Sequence, residues 1–302
     1  MQELKNNIFL TKSLEQVPRL LSQINRSPRS KTYGCFDRDY WLLHSVYFPN
    51  ARKQEAIYTL ALLYTQNFEG NIYFQDSQIL EWLRSTIEYI ANIQHRDGSW
   101  DESYYNERSF VCTSFVLLAI CQAVALIPEL KIEIVRQGIQ KATQYVKDEF
   151  EAVAYNQTAG NMLALFLSGE DESAQHKLER FLKDQNSEGW WPEYGGPDFG
   201  YLSLTIDYLE QIFEISKDER VKVASGKARE FLCNFLHPDF TCGGEYMSRN
   251  TEYLIPSRDP KILDFAAKQL ELGTAVWPGT MSDDYLLPLL SHWLRAGLNY
   301  HA

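Results

Sequence analysis

Apolar residues recur along this chain at spacings of three and four, the stride of a helix that buries one face. The stretch holding Phe110, Cys112, Phe115, Val116, Ala119, Ile120 and Ala123 shows it most plainly. The same stride predicts helices over 12–25, 51–66, 77–95, 107–127, 129–149, 156–168, 171–186, 199–215, 218–236, 249–256, 260–272 and 283–298. No segment alternates apolar and polar positions for more than a few residues, so no half-buried strand is expected. No Pro-, Gly- or Ser-rich linker breaks the pattern, and residues 1–302 read as a single all-α domain.

Twelve helices in succession make six hairpins, and the connections between them divide into two kinds. Long loops rich in Gly, Trp, Tyr and Glu follow the helices ending near 95, 186 and 236, whereas Ile127-Pro128-Glu129 and Ser168-Gly169-Glu170-Asp171 are short turns. That asymmetry is expected of hairpins arranged as an α/α toroid, with the long loops gathered on one face. Helices that start on that face would point their N-termini at a shared cavity.

Three of the connections also resemble one another. Tyr89 to Trp100 runs from an apolar helix end through Gln94-His95-Arg96-Asp97-Gly98-Ser99 to a Trp, and Phe181 to Trp191 repeats it through Gln185-Asn186-Ser187-Glu188-Gly189. Phe231 to Asp239, followed by Gly243-Gly244-Glu245-Tyr246, is a third copy that has lost both Gln and Trp. Self-similarity of this kind is the mark of a repeat architecture.

The Gln-x-x-Asp-Gly-Ser-Trp turn resembles the QW repeat of squalene-hopene and related terpenoid cyclases, whose domains are α/α toroids. The resemblance implies that Gln and Trp tie one helix end to the next and are structural. Similar toroids occur in protein prenyltransferases, glycoside hydrolases and uronate-directed polysaccharide lyases, so the resemblance implies a fold and not an activity. The Asp-x-Asp-Asp acid motif of the alkene-protonating cyclases has no match here. Its nearest strings are Asp37-Arg38-Asp39-Tyr40 and Ser282-Asp283-Asp284-Tyr285. The aspartate-rich metal motif of ionising terpene synthases and a prenyltransferase zinc set are absent as well.

Composition narrows the partners. A net charge of -11 argues against nucleic acid, which demands clustered Lys and Arg. No apolar run approaches the ~20 residues of a membrane span. The opening Met1–Leu10 lacks a signal peptide's basic-then-apolar order, which sets the expectation of a cytoplasmic protein. Five scattered cysteines without a CxxC pair fit a reducing compartment and give no metal site; no cofactor is expected. The 18 Tyr and 7 Trp fall largely in the loops, which suits either a lined pocket or loop bracing.

The loop-to-helix junctions hold the candidate chemistry. Glu245, Arg249, Asn250 and Glu252 crowd beside two tyrosines and a Gly-Gly turn with no amphipathic stripe to explain them. Glu245 or Glu193 is the expected acid/base and Tyr253 or Tyr201 the expected proton relay. Arg249, Asn250, Glu252, Asp198, Glu107, Arg108 and Asp37 are the expected substrate binders. Asp198, Asp283 and Glu107 each have an equal claim as helix caps. His95 and His237 read as turn residues, and His44 and His292 as the better proton carriers.

This inventory suits a carbohydrate-active enzyme of lyase, epimerase or hydrolase type, acting on a polar sugar or a uronate-containing small molecule or oligosaccharide in polysaccharide metabolism. A terpenoid-cyclase-like enzyme on an isoprenoid and a non-catalytic binding module remain the alternatives.

Overall fold

The computed structural model describes residues 7–300; Met1–Asn6, most of the N-terminal stretch considered above, lies outside them. The helices are α1 (Ile8–Leu21), α2 (Arg38–Trp41), α3 (Ala56–Thr65), α4 (Ser77–Asn92), α5 (Phe110–Leu126), α6 (Glu133–Val146), α7 (Tyr155–Ser168), α8 (Asp171–Lys183), α9 (Phe199–Ser216), α10 (Glu219–Cys233), α11 (Pro260–Leu272) and α12 (Asp283–Asn299). Among the described residues, β-pairing is confined to isolated bridges such as Trp100 with Ser109. The chain is all-α, as the periodicity predicts.

Inner and outer helices alternate. α12, α3, α5, α7 and α9 pack side by side in that order, and α1, α4, α6, α8 and α10 each back one of them. The inner helices are apolar on nearly every side: α5 buries Cys112 through Cys121 without a break, and α9 buries Leu202 through Leu209. The outer ones bury a single stripe, in α6 Val135, Gly138, Ile139, Ala142, Thr143 and Val146. A helix hydrophobic all round belongs in a core, and one with a stripe belongs at its edge, so the pattern sorts the two rings.

The helix expected at 249–256 does not form. Tyr253, Leu254, Ile255, Pro256 and Ser257 are buried in an extended strap along α9. Thr251 Oγ1 accepts from Gly200 N at 2.7 Å, and Ser203 Oγ accepts from Ile255 N at 2.9 Å. Pro256 has no N–H to give a helix and disfavours helical geometry at Ile255, so the apolar run is held by α9 instead. The inner ring is therefore five helices and a strap. Beyond the strap, α9 meets α12 through Asp207, whose carboxylate accepts from Arg295 Nη1 at 3.0 Å and lies 2.8 Å from His292 Nδ1.

The recurring turn proves to have four copies, at Asn25–Phe36, His95–Trp100, Asn186–Trp191 and His237–Cys242. In each, the first residue's N–H donates to the carbonyl just before the closing residue: Asn25 to Cys35, His95 to Ser99, Asn186 to Trp190 and His237 to Thr241, at 2.8–3.0 Å. Gly34, Gly98, Gly189 and Phe240 occupy the one left-handed position, with φ of 88, 98, 108 and 63°. A Cβ at any of the three glycines would overlap a backbone carbonyl of the next outer helix, at Ser85, Lys141 or Lys227.

Side chains then stitch neighbouring outer helices together. Gln94 Nε2 donates to Gly98 O and to Gly138 O on α6, both at 2.9 Å. Gln185 Nε2 repeats this with Gly189 O and, on α10, Ala224 O. Where the third copy has lost its Gln, Gln269 reaches back from α11 to Phe240 O at 3.0 Å. Lys177 of α8 does the same for the end of α6, donating to Val146 O and Glu149 O. Arg19 of α1 donates to Met281 O at 2.8 Å, beside the start of α12. Trp100 and Trp191, both almost fully buried, donate back to Ile90 O and Phe181 O.

Candidate functional site

The inner helices and the strap open on one face, where a cavity of about 580 Å³ lies on the ring's axis. Asn50, Lys53, Glu102, Glu107, Asn156, Gln157 and Asp284 line it at the level of the helix starts. One turn further down come Phe115 of α5, Leu204 of α9 and Pro288 and Leu289 of α12. The cavity thus has a polar mouth over an apolar floor.

Its cations are spoken for. Arg52, part of a 3-10 turn that leads into α3, pairs with Glu55 and stands 3.6 Å from Glu102 Oε1, with its guanidinium carbon 4.4 Å from the centre of the Phe115 ring. Burial disfavours its charge, but Glu55 and Glu102 outweigh that and raise its pKa. Lys53 Nζ contacts Asp37 at 2.9 Å, Asp39 at 2.7 Å and Asp284 at 3.2 Å. Burial works against its charge too, and Asp39 and Asp37 overcome it. Two cations face three carboxylates (Glu102, Glu107 and Asp284) around the lining. The potential inside favours neutral ligands over anions.

Three tyrosines complete the wall: Tyr201 on α9, Tyr253 on the strap and Tyr285 on α12. The Tyr201 and Tyr253 rings meet edge to face at 6.0 Å. That contact depends on Gly200, where a Cβ would run into the Tyr253 ring and Thr251 Oγ1. Burial raises the pKa of both phenols, so each is a hydrogen-bond donor and not a base at neutral pH.

The residues singled out from sequence fall into three groups. Tyr201, Tyr253 and Glu107 line the cavity. Asp37, Glu193 and Asp198 are buried behind it and hold the loops in place. Asp37 accepts from Asn50 N at 2.8 Å. Asp198 caps α9 through Tyr201 N and clamps the 249–251 loop through Thr251 Oγ1 and the N–H of Arg249. Glu193 accepts from Asn156 N and Nδ2, both at 2.8 Å, and so caps α7, whose own Ala154 has no capping side chain. Burial pushes Glu193 up to about 7 against the pull of those two donors.

Glu245, Arg249, Asn250, Glu252 and Arg108 form the third group, exposed and outside the cavity lining. Arg249 lies over the Tyr194 ring at 4.3 Å, and Arg108 pairs with Asp97 at 2.7 Å. Glu245 and Glu252 are thus not positioned as acid or ligand at this cavity. Of the histidines, His292 is tied up by Asp207 and His44 belongs to an exposed loop.

Arg52, Lys53, Glu102, Gln157 and Asp284 take the places expected of those residues. One signal in the sequence marks the first two: a cation pair just ahead of the run Ala56–Leu63, apolar but for Thr59, where an inner helix would leave them facing the axis. Among the described residues, no group of three or more His, Cys, Asp or Glu side chains is placed to hold a metal ion. No helix among them is long and apolar enough to cross a membrane. No family model matches the chain, and no curated protein matches it.

Proposed function

We propose that the protein is carbohydrate-active and takes a neutral, hydroxyl-rich ligand into the axial cavity. The observation that carries this is the lining: amide, phenol and paired ionic groups on every side of a cavity of about 580 Å³, over a small apolar floor. Desolvating such groups against a hydrocarbon would cost several kcal/mol each, which speaks against an isoprenoid. Cations already neutralised by carboxylates speak against a uronate or a diphosphate. In this reading Gln157 and Asn156 bind hydroxyls, Tyr201 and Tyr253 donate to the sugar oxygens, and Tyr285 stacks on a ring face.

Lyase, epimerase or hydrolase chemistry would fall to Glu102 and Asp284, the carboxylates on the lining that come from well-separated junctions. The pairing of Glu102 with Arg52 and of Asp284 with Lys53 favours a second reading, a non-catalytic sugar-binding module on the same scaffold. The ring and its Gln-to-Trp turns support kinship with the α/α toroids of terpenoid cyclases and carbohydrate enzymes. The unpaired cysteines support a reducing, cytoplasmic setting.

The test is thermal stabilisation by neutral sugars, uronates and isoprenoid diphosphates, with wild type beside Gln157→Ala. Neutral sugars should raise Tm, and the variant should lose most of that rise, because one hydrogen bond to a ligand is worth about 0.5–1.5 kcal/mol. A rise with uronates or isoprenoids alone would overturn the reading. Turnover of a bound sugar that Glu102→Gln abolishes would separate enzyme from module.

A further inference from the structure

A second cavity of about 640 Å³ lies against the outside of the first, between the Asn25–Phe36 turn, the α2–α3 connection and the 100–105 loop. One face of α4 supplies Ser85, Glu88, Tyr89 and Asn92, spaced three and four apart. The two cavities share a wall. Pro49 and Ala51 face the outer one, while Asn50, Arg52 and Lys53 face the axial one. Likewise Asp101 faces outward and Glu102 and Ser103 face the axis. Ala51 N donates to Asp101 O at 3.0 Å and joins the two segments side by side; each alternates its residues between the cavities, so the wall is one chain segment thick.

The base of this outer groove is rigid and polar. Asp101, 8% exposed, accepts from the N–H groups of Asn106 and Arg108 at 2.9 Å and lies 2.9 Å from His95 Nε2. Tyr89, 6% exposed, gives this base part of its ring, with its hydroxyl buried against Cys35. The sides are aromatic, from Tyr33, Tyr40, Phe48 and Tyr105. Lys31 is offset by Glu88 and Asp101, so the groove, like the cavity, has no excess of positive charge.

The surface around both openings has the same character. Large exposed aromatics among the described residues are all tyrosines, and Tyr47, Tyr104, Tyr105, Tyr194, Tyr246 and Tyr285 all belong to the loop face. Exposed aliphatics stand on both faces: Leu42, Leu43, Val46 and Val153 on the loop face, and Ile132, Ile215 and Leu272 at the other ends of the helices. The exposed tyrosines are confined to one face, and their flat, amphipathic rings suit the C–H faces of sugars.

We infer that the ligand of the axial cavity is a neutral oligosaccharide, and that the outer groove is the subsite for the units that follow the first. This rests on the carbohydrate reading of the axial cavity. A chain leaving that cavity crosses the Pro49–Lys53 wall and lies along Phe48 and Tyr105, with its hydroxyls toward Asn92 and His95.

Titration calorimetry on the full chain tests it, using glucose, mannose and galactose and their linear oligomers of two to six units. In wild type, Kd should fall by about tenfold or more between one unit and four, the scale of one or two added stacking contacts. Tyr105→Ala, at a residue 69% exposed, should abolish most of that gain and leave monosaccharide affinity unchanged. Phe48→Ala should do the same, whereas Gln157→Ala should weaken every length alike. Affinity independent of length, or a gain that survives both groove substitutions, overturns the inference and leaves the axial site standing. Absence of binding at every length overturns both.

Discussion

Glu193 offers the sharpest test of how this scaffold is held. Its carboxyl is 2% exposed and sits at the start of α7, and burial raises its pKa from 4.5 to about 7 in the folded chain. Between those values the native protein keeps a proton that the unfolded chain releases. The folded state is therefore favoured fully below pH 4.5 and loses that advantage as pH climbs to about 7. At ~1.36 kcal/mol per unit the loss amounts to roughly 3 kcal/mol.

Glu193→Gln removes the titration. It also turns an amide donor toward one of the two Asn156 donors, so it carries a constant penalty of about 1–3 kcal/mol. Urea unfolding of both proteins at pH 4.5, 5.5, 6.5 and 7.5 isolates the effect, since other titrating groups cancel in the difference. Wild-type stability should fall relative to the variant across that window and then level off. Parallel curves would refute the reasoning. They would mean that the Asn156 donors and the α7 N-terminus keep the group ionised throughout, leaving burial the weaker force.

The turns and the ring closure lead to further expectations. Gly98→Ala forces a Cβ onto the Lys141 carbonyl at a φ of 98° and should cost several kcal/mol, whereas Gly169→Ala, with open space around it, should cost only about 1–2; melting curves compare them. Gln94→Ala and Gln185→Ala should each lower stability by roughly 1–3 kcal/mol in urea, because each takes the side-chain donor from a turn carbonyl, Gly98 O or Gly189 O; Gln269→Ala should cost only about 0.5–1.5 kcal/mol, because Thr274 Oγ1 still donates to Phe240 O. A silent Gln269→Ala would show that Thr274, just past the end of α11, holds the third copy by itself. Asp207→Asn leaves Arg295 without its countercharge and should cost about 3–5 kcal/mol. Burial pushes Asp207 up, but Arg295 and His292 hold it at about 2, so wild type should keep this contribution at pH 4 and above and surrender it as pH falls toward 2. Acid titration of both proteins should show their stabilities converging.

Much of this architecture is written locally. Apolar stride over 110–126 and 199–216 marks inner helices, and Gln94–Trp100 and Gln185–Trp191 carry their own turn, because the left-handed glycine and the hydrogen bonds that close it lie within six residues. The Asn25–Phe36 copy is not legible in the sequence because the same turn is stretched by inserted residues; its closing hydrogen bond to Cys35, the left-handed Gly34 and its packing on Ser85 show the equivalence. Residues 249–256 carry an apolar pattern that a helix or a buried strap satisfies equally; Ser203 and Gly200 of α9 decide for the strap.

For the site, sequence determined that the junctions hold the polar groups, and tertiary structure decided which of them face the axis. Asp37, Glu193 and Asp198 became loop clamps and Glu245 and Glu252 were left in solvent, while Glu102, Asp284, Arg52 and Lys53 met across the cavity. The physical reason is range. A cap or a turn is settled by neighbours a few residues away, whereas Lys53 and Asp284 are brought together only when the last inner helix packs against the first and closes the ring.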